Sequence, residues 1–248
     1  MSSQPQLSEA QMRTLRRTLT CVDWLEPRRL LAAGANDTSF SGDGLVTHSF
    51  GRAQDGIDAV VDSSGRVIVV GDTDQGTGNK DAFIERFTST GELDLGFGDG
   101  GDGVTIFTFG GTDDVATCVA IQPVDGKILV AGFTGDSSQM DFFVARFTTS
   151  GLLDNTFSSD GKVQVDFSNG IDAATGIAVD SNGKIWVVGT TASISNGVGV
   201  AMARLNSNGS LDTSFSGDGK VVDAPTLLSG TGYAAGRMVV DSSGRPVV

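Results

Sequence analysis

From about residue 57 onward, short apolar runs alternate with breaks rich in Gly, Asp and Ser, and the runs recur in a fixed order. The runs VIVVG (67–71), KILVAG (127–132) and KIWVVG (184–189) are too short for helices and do not alternate with polar residues. Such continuous runs predict strands covered on both faces. Each follows a tight reversal, DSSG at 62–65, VDGK at 124–127 and DSNG at 180–183, where Asp, Ser and Gly supply the side-chain bonds and positive φ of a turn. Next come DAFIERF (81–87), DFFVARF (141–147) and VAMARL (200–205), predicted third strands. A corner with Asp three residues before Phe leads to a fourth: LVTHSF (45–50), VTIFTF (104–109), KVQVDF (162–167) and KVVD (220–223).

The corner phenylalanines Phe40, Phe97, Phe157 and Phe215 are spaced 57, 60 and 58 residues apart. Three separate signatures share this period, so the chain is a repeat array. The predicted first strands, around Ala116–Ala120, Ala174–Ala178 and Ala234–Gly236, are rich in small residues, which suits strands crowded round a central axis. The fold class that follows is all-β, a β-propeller-like array of four-stranded antiparallel blades. A β-solenoid is the rival, but its coils would give sub-repeats within each unit, and the sequence has none. Counting strands gives about three and a half units at 35–248, an incomplete ring that the pattern predicts to be truncated at its C-terminal end, after a non-repeat leader at 1–34.

Composition refines this picture. With 35 Gly and only 5 Pro in 248 residues, Gly is at about twice its usual share, as many tight turns require. The formal net charge is −13, and the leader is basic while the repeats carry the acid. A body so acidic repels phosphate backbones, which argues against nucleic acid as a partner. No apolar run is long enough for a membrane-spanning helix. Cys21 and Cys118 make no disulfide framework, and Cys118 falls in a predicted strand as a small buried hydrophobe.

At these residues the chain resembles the delta-60 repeat family of bacterial surface and secreted proteins, whose consensus is similar to DSSGRVIVVG, DFFVARF and GSLDTSFSGDGKV. The resemblance covers about residues 35–248 and implies a propeller-like repeat without an assigned activity. In the leader, LEPRRLL (25–31) resembles the LEPR-xLL motif near the start of large exported bacterial proteins. That resemblance implies export or cell-surface sorting, although Asp23, Glu26, Pro27, Arg28 and Arg29 interrupt any apolar signal core.

Catalytic chemistry is scarce. The single histidine, His48, lies in a predicted strand; no zinc spacing and no phosphate-binding Gly loop is present, so no catalytic residue and no cofactor is expected. Asp43, Asp99, Asp102, Asp160 and Asp218 sit in Gly-rich corners, where clustered carboxylates could hold Ca²⁺, or could simply cap the turn. The column Arg86, Arg146 and Arg204 is expected to bond nearby acidic turns, and the corner phenylalanines to anchor the blades. Ligand contacts are expected in the non-repeating loops 72–80, 133–140, 190–199 and 224–233. The function expected is a non-catalytic secreted or surface module that binds a protein, glycan or wall polymer. A calcium-stabilised structural repeat is the alternative, and a quinoprotein-like or hydrolytic propeller enzyme stands behind both.

Overall fold

The computed structural model describes residues 35–74, 76, 78–110, 113–167, 170–193, 197–223, 236–241 and 243–248. The expected leader, the Cys21 and LEPRRLL positions and the 224–233 loop lie outside these residues. The described chain is all β, with fourteen strands and antiparallel pairing within each repeat.

Three four-stranded repeats follow one another. The first is β1 (Gln54–Val61), β2 (Val67–Asp74), β3 (Lys80–Phe87) and β4 (Val104–Phe107). The second is β5 (Asp113–Ile121), β6 (Ile128–Asp136), β7 (Gln139–Phe147) and β8 (Lys162–Val165). The third is β9 (Ile171–Val179), β10 (Ile185–Ser193), β11 (Gly197–Leu205) and β12 (Lys220–Asp223). A two-stranded hairpin, β13 (Val239–Val240) with β14 (Pro246–Val247), begins a fourth. Inside each repeat the strands pair in sequence order, and a single parallel contact, Met140 with Ile171, joins the second repeat to the third. The sheets stay open, so the array is an incomplete, propeller-like one, as its repeat pattern predicts.

The second strands are covered on both faces, as their unbroken apolarity requires: Val70, Leu129, Val130, Val187 and Val188 are all fully buried. Two large apolar clusters sit between successive repeats. One joins Ile84, Phe97 and Phe107 of the first repeat to Val130, Phe143 and Phe147 of the second. The other joins Phe142, Phe157 and Val165 of the second to Ile177, Val187 and Leu205 of the third. The core is thus a stack of repeat-to-repeat interfaces, and no blade buries its own faces.

First strands lie innermost and touch one another. The Thr117 hydroxyl donates to the Ala174 carbonyl at 2.6 Å, and that of Thr175 to the Gly236 carbonyl at 3.3 Å. Glycine is required where the second strand crosses the bulged first strand. A Cβ at Gly71 or Gly132 would sit 1.8 Å from the carbonyl oxygen of Asp55 or Val115. The same bulge recurs in all three repeats.

One expectation changes at the N-terminal side. Residues 45–50 carry the fourth-strand sequence but pair with no strand among the described residues. They nevertheless dock on the first repeat as 104–109 dock on the second. The Phe50 amide donates to Gln54 Oε1 at 2.8 Å, as that of Phe109 donates to Asp114 Oδ2 at 2.9 Å.

Candidate functional site

Strand direction divides each repeat into two edges. Turns between first and second strands share one edge with the Asp-x-x-Phe corners. Hairpins between second and third strands share the other with the links that lead to the next repeat.

On the corner edge the same device is built each time. Arg86 Nε meets Asp94 Oδ2 at 2.8 Å, its guanidinium lies 4.3 Å from the Phe97 ring centre, and Nη1 donates to the Thr149 carbonyl of the next repeat at 2.5 Å. Arg146 repeats this with Asp154 (2.7 Å), Phe157 (4.7 Å) and the Ser207 carbonyl (2.5 Å). Phe97 and Phe157 are fully buried, so the corner phenylalanines anchor blades. The arginine column does bond acidic turns, and it also latches each repeat to its successor, a contact between units that one unit's sequence does not display. At Asp154, burial raises the pKa, but hydrogen bonds from Lys127 and Thr156 and the Arg146 charge outweigh it and hold the carboxyl well below its ordinary value.

The five corner aspartates proposed from sequence as calcium ligands do not come together. Asp43, Asp102, Asp160 and Asp218 each accept the backbone N–H two residues ahead, of Leu45, Val104, Lys162 and Lys220. They cap their own turns, and Asp99 lies in the same corner as Asp102. His48 Nδ1 lies 2.9 Å from Glu85 Oε2; burial pushes Glu85 up, and the His48 bond and charge pull it partly back. Cys118 is a free, buried thiol whose burial raises its pKa to about 12, so it stays protonated and is a poor nucleophile.

The opposite edge differs from repeat to repeat, and its loops are shorter than expected. Strands run through most of 133–140, leaving only Ser137 and Ser138 as the hairpin tip of the second repeat, and they take Asp72–Asp74 and Lys80 from 72–80. Here lies a cleft of about 470 Å³ lined by Phe109, Gly110, Thr134–Asp136, Gln139, Asp141 and Gln164. Hydrogen bonds from the Ser138 side chain and amide, then from the Gln139 amide, hold Asp136 below its ordinary pKa. The Gln164 amide donates to Asp141 Oδ2 at 2.6 Å, fixing that carboxylate at the rim.

Behind Asp141 stand Asp166, exposed, and Asp172, fully buried; one oxygen from each of the three lies within 4.8 Å of the others. Among the described residues no other such acidic group occurs. The preceding junction has the same frame with different chemistry. Asp81 and Asp114 stand for Asp141 and Asp172, but Thr108 takes the place of Asp166 and donates to Asp114 at 2.5 Å. Burial, then the Asp114 charge, raises Asp81. Sequence reading missed this acidic group because its members come from a third strand, a fourth strand and the next first strand. Its one visible signal is Asp166, an acid at a repeat position otherwise held by Ser49 and Thr108.

Residues 63–97, 125–157 and 181–215 match a protein-family model described as "Domain of unknown function (DUF5122) beta-propeller". Each match runs from the turn before the second strand to the corner phenylalanine, so it covers the latch and, of the acidic junction, Asp141 but not Asp166 or Asp172. A comparison with curated proteins finds no match.

Proposed function

We propose that this propeller-like repeat protein is a non-catalytic binding scaffold, exported to the cell surface or beyond. Its variable edge would take a polar, cation-bearing ligand from a protein, glycan or wall polymer. The acidic cleft between the first and second repeats carries this reading: Asp136, Asp141 and Gln164 converge there, while the corner edge repeats one structural device. The buried Cys118 thiol favours a role without nucleophilic chemistry at that residue. Similarity of the repeats to delta-60 proteins and of LEPRRLL to an export motif supports the location.

Calorimetric titration with pentalysine, chitosan oligosaccharide and neutral cello-oligosaccharide tests it. The cationic probes should bind, and Asp141→Asn should weaken them by about tenfold, while Asp218→Asn on the opposite edge leaves them unchanged. Absence of binding, or equal loss in both variants, overturns the assignment.

A calcium-stabilised repeat is the second reading. It moves from the corners to Asp141, Asp166 and Asp172, whose oxygens are close enough to share one ion. Melting with calcium and with chelator decides it. A shift that disappears in Asp166→Thr, which recreates the Thr108 arrangement, supports the site; identical melting temperatures remove it.

A further inference from the structure

Residues 45–50 lie on the first repeat as 104–109 lie on the second, and their ring contacts correspond. The Phe50 ring centre is 5.1 Å from that of Phe83, as that of Phe109 is 4.6 Å from Phe143. Five residues on from the corner aspartates Asp43, Asp102 and Asp160 stand His48, Phe107 and Val165, which are therefore equivalent. Phe107 and Val165 are buried in apolar clusters that also hold Ala145 and Ala203, on the third strand of the following repeat. The first repeat has Glu85 where these alanines stand: Glu85 pairs with Val104 as Ala145 pairs with Lys162 and Ala203 with Lys220.

At this one junction an acid and a base thus replace an apolar contact. His48 Nδ1 lies 2.9 Å from Glu85 Oε2; Glu85 is buried, and the His48 side chain is 27% exposed. The imidazole stands edge-on to Phe50 at 5.2 Å and to Phe87 at 6.4 Å, so apolar rings flank the pair. Gln54 ties the same segment to the start of β1. Its Nε2 donates to the His48 carbonyl at 2.9 Å, and its Oε1 accepts the Phe50 amide. Taking two charges out of water is costly, and well-packed apolar residues hold such a contact at least as well. Stability alone therefore does not account for the exchange.

Protonation sets the strength of this pair. The chain has one histidine, the side chain whose charge changes between about pH 5 and 8. Among the described residues His48 is the only charge acting on Glu85: burial raises the carboxyl's pKa, and the His48 hydrogen bond and charge offset this only in part. Nearby charges are engaged elsewhere. Arg86, beside Glu85 on β3, turns to Asp94 and the Thr149 carbonyl, and Lys80 pairs with Asp72. Asp81 faces Asp114, and Asp43 caps the Leu45 amide. The cross-strand partners of Glu85, Val69 on β2 and Val104 on β4, carry no charge, and neither does Gln54 on β1. As the pH rises through the histidine range, the imidazole loses its charge and Glu85 is left as a buried carboxylate without a counter-charge. The raised pKa of Glu85 acts in the same direction, because ionising it costs more in the folded state than in the unfolded one.

We infer that His48 and Glu85 form a proton-operated clip, which fastens residues 45–50 to the first repeat on the acid side of neutrality and loosens them on the alkaline side. The two corresponding junctions, closed by Phe107 on Ala145 and by Val165 on Ala203, carry no titratable group at this position and stay fastened throughout. Gln54 carries the state of the clip to the start of β1, at the variable edge of the first repeat. The device is local electrostatics acting on one docked segment.

Amide hydrogen exchange of the full chain, corrected for the intrinsic pH dependence of exchange, tests this at about pH 5.5 and about pH 8, the two sides of the histidine range. Protection of 45–50 should fall by about tenfold or more between them, because a buried carboxylate loses its partner, while 104–109 keeps its protection. The fall should follow the imidazole Cε1 proton resonance, which has a single source in this chain. Glu85→Gln should remove the pH dependence. So should His48→Phe combined with Glu85→Ala, which copies the contact of Phe107 with Ala145. Equal protection of 45–50 at the two pH values in the unaltered chain overturns the inference, as does an equal fall at 104–109 or a fall that persists in the double variant. The comparison of 45–50 with 104–109 needs only the unaltered chain, so it decides even if a variant does not fold.

Discussion

Replacing Arg146 and Arg204 one at a time isolates the energy of the latch. Both arginines pair with a corner aspartate and stack on a corner phenylalanine, and both aspartates keep a lysine partner when the arginine goes, Lys127 on Asp154 at 2.8 Å and Lys184 on Asp212 at 3.0 Å. The main difference is the bond from Arg146 to the Ser207 carbonyl of the following repeat. Methionine keeps most of the apolar stem and removes the charge, so each variant loses its ion pair, but among the described residues only Arg146→Met loses a bond between repeats. A hydrogen bond from a charged donor contributes about 2 kcal/mol. Arg146→Met should therefore destabilise by about 2 kcal/mol more than Arg204→Met, a difference of about 1 M in urea midpoint for a slope near 2 kcal/mol/M. Urea titrations followed by circular dichroism read this directly. Equal losses would refute the idea that the arginine column holds successive repeats together.

Three further outcomes follow from the geometry. Gly151→Ala and Gly183→Ala both place a side chain at positive φ, 84° and 75°, at a cost of about 1 kcal/mol. Only Gly151→Ala also strikes the Phe97 ring, adding about 1–3 kcal/mol in thermal or urea melts. Asp154 is held below its ordinary pKa, so the folded state binds fewer protons there than the unfolded chain; its stabilisation is present above pH about 4 and is lost as the pH falls below that. Asp154→Asn should flatten the acid limb of a stability-against-pH curve, and an unchanged limb would count against the carboxylate. Finally, a Cys21→Ser chain should react with a thiol reagent at pH 8 only as fast as it unfolds, because Cys118 is buried with its pKa raised to about 12; prompt labelling in native buffer would contradict that burial.

The period of the apolar runs and the Gly/Asp turns were enough to read the strand order, because short hairpin connections force neighbouring strands to pair. The burial of β2, β6 and β10 was legible in their lack of alternation. Contacts between units were not legible. Arg86 could be seen to face an acidic turn, but its bond to Thr149 spans 63 residues and depends on how one blade leans on the next. The acidic junction was hidden for the same reason, since Asp141, Asp166 and Asp172 converge from two repeats. The corner aspartates drew attention as ligands because their spacing looks dense in sequence, yet Asp43, Asp102, Asp160 and Asp218 are each occupied by the amide two residues ahead.

Near-identical repeats carry a hazard, since any unit's surface fits any other's and a folding chain can join them in the wrong order. Besides the variable edge, identity is broken at the innermost level of this array. Equivalent positions there hold Asp58, Cys118, Gly176 and Arg237, four residues of different size and charge. Gly176 leaves room that a Cβ would lose, at 2.9 Å from the Met238 amide nitrogen, and Asp58 accepts both the Val119 amide and the Arg237 guanidinium. A chain that skipped a unit would set a cysteine or a glycine opposite Arg237 and leave Asp58 without its cation. The latches supply adhesion that any repeat can use, whereas the Asp58–Arg237 pair and the close fit at Gly176 favour one order of units.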